Sequence, residues 1–209
     1  MSSSVSLGEF CTKRPLAVPA LARLGVELDD PARALASVYE QGHLDEKAVD
    51  AAICAEEEIL ARAWCQPTIT EQIDAIVSRY HQSFPLEALA VEDAFARGLP
   101  IWETALALLD ELHRDFAQHV EMEERVLFPL LRLGGSSVLS SIRALSLEHE
   151  DLILNLLALG AVVRGCIAAT PELAAELTNA FGRFERFLCE SIHVESNVLF
   201  PRALELARR

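Results

Sequence analysis

The chain has 209 residues, 51% of them hydrophobic, and carries 18 Lys and Arg against 32 Asp and Glu for a formal charge of −14. That length supports one good core, or a bundle with a small extra module. So negative a surface excludes the basic footprint a nucleic acid needs to release its counterions, and it disfavours anionic membranes. Ala, Leu and Glu dominate, Gly and Pro number only 9 each, and period-two runs of Val, Ile and Thr are missing. The expected fold class is all-α.

The start, Met1-Ser2-Ser3-Ser4-Val5, has neither a basic segment nor an apolar core, so no signal peptide is expected. Residues 1 to 66 read as a small helical module. Pro15 and Pro19 punctuate its beginning, Asp30-Pro31 opens a short helix, and His43-Leu44-Asp45 caps a longer one ending near Trp64. Gln66-Pro67-Thr68 is the candidate boundary.

Residues 67 to 209 carry four longer helices. The first runs from Thr70, read as its N-cap, past Tyr80-His81 to a kink at Pro85. The second begins after Pro100 and reaches Pro129. Gly134-Gly135-Ser136-Ser137 breaks the chain before a third, which ends near Arg164. The run Leu152 to Ala169 is interrupted by Asn155 and Arg164, which makes it too polar for a bilayer span. Thr170 caps the fourth helix, with Pro171 at its first position. Four helices with short connections predict an up-down bundle, and a soluble, cytoplasmic protein is the expectation. Dimerisation is left open.

The cysteines Cys11, Cys54, Cys65, Cys166 and Cys189 are scattered with no C-x-x-C pair, which argues against a cysteine zinc or iron–sulfur site. They read as reduced thiols, mostly buried as small hydrophobes.

The most informative pattern is a repeat. Glu123-Glu124-Arg125-Val126-Leu127-Phe128-Pro129 recurs as Glu195-Ser196-Asn197-Val198-Leu199-Phe200-Pro201. Val-Leu-Phe-Pro itself reads as packing plus a helix stop at Pro129 and Pro201. The glutamates read as halves of one site, because a carboxylate in a bundle core is costly without a cation or partner. His119 lies four residues before Glu123, so both side chains share a helix face and offer an imidazole and a carboxylate to one metal. His81 sits on the first helix beside Ile76, Val77 and Phe84, and His149 on the third within Leu147 to Leu152. Each bundle helix thus brings at least one nitrogen or oxygen ligand, the way bundle-core metal sites are built. Imidazole with carboxylate suits iron or manganese.

These segments, Tyr80-His81, His119-x-x-x-Glu123, Glu148-His149-Glu150 and Glu195-x-Asn197-Val-Leu-Phe-Pro-Arg202, resemble the hemerythrin-like domain of the repair-of-iron-centres proteins. The likeness covers Thr68 to the C-terminus in the same order, and the N-terminal module resembles that family's small helical domain. It implies a non-haem iron centre, di-iron with mono-iron as the alternative, bridged by Glu123 and Glu195. The ligand set it implies is His81, His119, Glu123, His149 and Glu195. It also implies a part in restoring iron–sulfur clusters damaged by nitric oxide or oxidants, with nitric oxide or dioxygen as small ligands and iron–sulfur proteins as partners. The alternatives are a hemerythrin-like module that binds or senses dioxygen or nitric oxide, and a degenerate bundle with a partly lost metal site.

Two departures stand out. The family pattern carries a histidine where this chain has Ser191. His193 is about 200° from Glu195 on an ideal helix and points away unless a π-bulge intervenes. Water, or His193 through such a bulge, is left to fill the gap, or the site holds one metal more tightly than the other. The second departure is the family's adjacent cysteine pair, which aligns with Asp29-Asp30 here. His193 otherwise reads as a surface or outer residue, His113 as a surface or packing residue, His43 as a loop residue, and Glu121 and Glu124 as a solvated face. Glu148 reads equally as a surface acid or as a residue that lines a channel or hydrogen-bonds a ligand. Phe181, Phe184, Phe187 and Leu188 read as core.

Overall fold

The computed structural model describes residues 5–65, 68–97, 102–133 and 138–207. The break expected at Gly134 to Ser137, Gln66-Pro67 of the boundary and Pro100 lie outside the described residues. Among the described residues there is no strand, only an antiparallel bridge between Ser6 and Ala34.

Four short or medium helices come first: α1 (Leu7–Lys13), α2 (Ala17–Arg23), α3 (Leu35–Gln41) and α4 (Glu46–Ala63). Pro15 and Pro19 therefore punctuate two real helices. Pro19 is tolerated because it sits in the first turn of α2, where an amide has no helical acceptor. Asp30-Pro31 does not open α3. Asp30 instead accepts the Ala32 N–H at 3.0 Å in a local turn, and α3 begins at Leu35. His43 adopts φ 50° in the connection, and Asp45 caps α4 by accepting the Lys47 N–H at 3.1 Å.

The bundle begins with α5 (Ile69–Ile76). Its cap is Thr68, not Thr70: Thr68 Oγ1 accepts from the Glu71 N–H and Glu71 accepts from the Thr68 N–H, a reciprocal capping box. A π turn over Val77–His81 follows, then α6 (Phe84–Ala96). The second bundle helix is α7 (Glu103–Met122), a π turn over Glu123–Leu127, and α8 (Phe128–Leu133). The third, α9 (Val138–Ala169), runs five residues past Arg164. The fourth is α10 (Ala174–Val194), a π turn over Glu195–Leu199, and α11 (Phe200–Ala207). Thr170 does not cap it. The Thr170 hydroxyl donates back to the Cys166 carbonyl at 2.8 Å, Pro171 lies in a turn, and α10 starts at Ala174.

Pro129 and Pro201 do not stop their helices. Both helices continue as α8 and α11, and each proline lies two residues past a π turn. A proline ring collides with the carbonyl four residues back, here Arg125 and Asn197, and widening the turn relieves the clash. The Phe128 N–H accordingly reaches the Glu123 carbonyl, and the Phe200 N–H the Glu195 carbonyl.

Burial follows the 3.6-residue period. In α7 the covered positions are Ala105, Leu109, Leu112, Phe116 and His119, and the stripe continues to Glu123. In α10 it runs through Leu177, Phe181, Phe184, Leu188 and Ser191 to Glu195. Phe84 stacks on Phe116 with centroids 3.9 Å apart and meets Phe184 at 5.7 Å, which closes the layer beneath the site. Each such ring stabilises the fold by roughly 1.5–3 kcal/mol when fully buried.

Neighbours pair around the bundle as α6 with α7, α7 with α9, α9 with α10, and α10 with α6. From the N-terminal helices, α1 packs on α9 and α2 and α4 on α10, and one buried apolar cluster runs through both parts. By length and composition α9 is apolar enough to cross a membrane, despite Asn155 and Arg164. In the fold twelve of its residues are buried, against α7, α10 and α1 among others.

Candidate metal centre

All five sequence-predicted residues, His81, His119, Glu123, His149 and Glu195, meet at mid-bundle. None is more than 7% exposed, and Glu123 and Glu195 are fully buried. One donor atom from each of His119, Glu123, His149 and Glu195 lies within 4.8 Å of all the others. The Nε2 atoms of His119 and His149 are 2.9 Å apart. His81 approaches from the other side, its Nε2 being 3.2 Å from Glu123 Oε2 and 3.6 Å from Glu195 Oε1.

The two carboxylates span these sides. Glu195 Oε2 lies 3.0 Å from His149 Nε2 and 3.9 Å from that of His119, while its Oε1 faces His81 and accepts the Ser191 hydroxyl at 3.1 Å. Glu123 Oε2 is shared between His81 at 3.2 Å and His119 at 3.6 Å. These are close approaches rather than hydrogen bonds: His81 Nε2, both Glu123 oxygens and Glu195 Oε2 are buried with no hydrogen-bond partner.

The outer nitrogens are all occupied. His81 Nδ1 meets Glu124 at 2.9 Å, His119 Nδ1 meets Glu148 at 2.8 Å, and His149 Nδ1 meets the Ser196 hydroxyl at 2.7 Å. A carboxylate only accepts, so Nδ1 of His81 and His119 must donate, which fixes each ring and turns the Nε2 lone pair inward. His149 stacks on Phe200 and His81 on Phe128, each ring pair within 9° of parallel. The phenylalanine of each repeated motif thus positions an imidazole.

Electrostatics follow from crowding. Burial opposes a charged imidazole, yet Glu123, Glu148 and Glu195 push His119 up to about 10, and Glu123 and Glu195 do the same for His81. Glu195 is held well below the usual carboxylate range by the three imidazoles, against its burial. The His119 hydrogen bond lowers Glu148, against its partial burial. Protons here occupy the place a cation would take, and metal binding releases them.

His193 is neither a surface residue nor part of this cluster. It is buried and bonded to the Asn197 amide at 3.3 Å, and burial pulls its imidazole below the usual range, with the charge of Glu57 opposing and that of Arg14 assisting. The third π turn begins only at Glu195, after His193, and so does not swing it inward. Arg14 grips Glu57 with two bonds of 2.8–2.9 Å and also pairs with Asp50. Asp29 and Asp30 are exposed. Glu124, read as a solvated acid, and Ser196 both support ligand rings. Their one signal in the sequence is that each directly follows a repeat glutamate. His113 packs edge-on to Phe84 at 5.4 Å, as read.

An all-α bundle with convergent imidazoles and carboxylates, orphaned toward one point, defines a carboxylate–histidine metal-binding bundle. The family model described as the hemerythrin HHE cation-binding domain matches residues 69–203. The chain belongs to that family. The iron–sulfur cluster repair protein YtfE of Citrobacter koseri is 30% identical over 182 residues, which cover 81% of this chain and 82% of the relative. The protein of that name from Escherichia coli UMN026 is 29% identical over the same span, with the same coverage. A probable iron–sulfur cluster repair protein of Haemophilus influenzae is 29% identical over 156 residues, 68% of each chain. The cofactor is non-haem iron. The donor set fits it, since imidazole and carboxylate suit that metal and the orphaned buried oxygens and nitrogen require a cation.

Proposed function

We propose that the chain is an iron–sulfur cluster repair protein whose iron is held by His81, His119, Glu123, His149 and Glu195, with the two carboxylates bridging a di-iron centre. The observation that carries this is the set of inward-facing donors without hydrogen-bond partners, supported by outer partners on every imidazole. When bound, iron supplies a Lewis-acidic, one-electron centre with positions open to small molecules such as nitric oxide or dioxygen. The protein's own part is to hold three lone pairs in register, keep the centre dry, and shift protons. Glu124 and Glu148, each with a side chain 43% exposed, are placed to receive the protons that a cation displaces.

The likeness to named iron–sulfur cluster repair proteins supports a repair role, and the route we propose is iron donation or nitric oxide chemistry toward damaged iron–sulfur proteins. We assign residues 1–66 to an N-terminal helical module and 67–209 to the metal-binding bundle, and the cytoplasm as the compartment. A groove of about 320 Å³ lined by Asp115, Gln118, Glu148, Asp151, Leu152 and Asn155 ends at the Glu148 carboxylate that supports His119. It favours a second reading, a module that binds dioxygen or nitric oxide reversibly.

Anaerobic loading with Fe(II) should give about two irons per chain, one on each side of the bridging carboxylates. The loaded chain should reactivate an iron–sulfur enzyme damaged by nitric oxide. Iron binding without reactivation would favour the gas-binding reading, and failure to bind iron would overturn both.

A further inference from the structure

We propose that the centre holds its two cations unequally, with a tight position between His119 and His149 and an exchangeable one between His81 and Ser191. The inference rests on reading the chain as an iron protein and concerns which donors each side offers.

On the tight side two imidazole nitrogens and one oxygen from each glutamate are already gathered within 4.8 Å of one another. Four protein donors surround that position. His81 stands outside that group of four and contributes the only imidazole on its own side. The α10 residue that reaches this side is Ser191, fully buried and one helical turn before Glu195. Its hydroxyl donates to Glu195 Oε1, the same oxygen that lies 3.6 Å from His81. Ser191 therefore holds the bridging carboxylate but brings no nitrogen, and a neutral hydroxyl is a far weaker donor than imidazole. Among the described residues no other histidine makes up the deficit: His193 lies outside the group of donors and bonds the Asn197 amide.

The two sides share Glu123 and Glu195, so a cation leaving the His81 side does not dismantle the other. Loss from the weak side leaves His119, His149 and both carboxylates in place around the remaining metal. This is the arrangement a donor needs: one iron that stays and keeps the core neutralised, and one that is released by ligand exchange alone, with no change of oxidation state. An external chelating or thiolate acceptor would take it.

Titration of the metal-free full-length chain with Fe(II) under anaerobic conditions, against a competing chelator, tests this. Two steps are expected, separated by at least ~10-fold in affinity, which is about 1.4 kcal/mol. His81→Ala should remove the second step and leave the first. Ser191→His should tighten the second step by at least ~10-fold, and Ser191→Ala should leave the two-step pattern intact. Two steps of equal affinity, or loss of both steps in His81→Ala, would overturn the inference while leaving an iron protein. No binding in the wild type would overturn the iron reading itself.

Discussion

The Nε2 atoms of His119 and His149 face each other 2.9 Å apart, with neither residue more than 2% exposed. With each Nδ1 bonded outward, two lone pairs and two carboxylates converge on one dry point, and only protons or a cation relieve them. Adding Fe(II) to the metal-free chain should therefore raise its stability markedly. At a free concentration 100-fold above the dissociation constant the gain is about 2.7 kcal/mol. Denaturant melts with and without metal check this, and coincident curves would contradict it.

Removal of the buried acids should weaken both binding and folding. Glu123→Ala with Glu195→Ala should abolish the stabilisation by iron. The metal-free double variant should be less stable than the metal-free parent near neutral pH, because the imidazoles that Glu123 and Glu195 hold protonated lose their counter-charge. Equilibrium unfolding of both chains after chelation gives the comparison. A double variant that kept its full stability without metal would contradict this pairing of carboxylates and protonated imidazoles.

Glu148 touches His119 from outside. Glu148→Gln keeps the size but weakens the acceptor that fixes the ring. Iron affinity should fall by about 10–100-fold with little change in helix content. Chelator competition and circular dichroism together measure it.

The prolines behind the π turns should matter for register. Pro201→Ala restores an N–H and removes the ring that meets the Asn197 carbonyl. A turn that closes to α geometry rotates Glu195 against Leu199 and Phe200, and iron affinity should drop by at least ~10-fold. Unchanged affinity would mean that packing alone sets the third π turn.

Glu185 gives the pH dependence. It is 5% exposed, and burial pushes its carboxyl up to about 7, against the opposing charges of Arg164 and Arg23. An acid with a raised folded-state value binds its proton more tightly when folded, so stability falls as pH rises from about 4.5 to about 7 and then levels off. The loss amounts to about 3 kcal/mol. Glu185→Gln should remove that slope, exceeding the parent in stability at pH 8 and differing little near pH 4.5. Denaturant melts of the metal-free chains at both pH values read the difference.

The site was legible because its residues prolong apolar stripes. His119 and Glu123 fall on the stripe Leu109, Leu112, Phe116, and Glu195 on the one through Phe184 and Leu188. A buried histidine or glutamate at such a position is costly alone, and the set of five is what the resemblance to the hemerythrin-like domain implies. The π turns were not legible at Pro129 and Pro201, because proline reads as a stop unless tertiary packing carries the helix onward. The start of α10 slipped from Pro171 to Ala174 since Thr170 spends its hydroxyl on the preceding helix. Glu124 looked solvated because exposure and a bond to a buried ring coexist in one long side chain.

The most direct measurement is an anomalous difference map at the iron edge from crystals of the Fe(II)-loaded chain. The strongest peak is expected among His119 Nε2, His149 Nε2, Glu123 and Glu195, with a second peak on the His81 side of the carboxylates. A map with no peak between these residues, or with iron at His193 and Glu57 instead, would contradict the assignment.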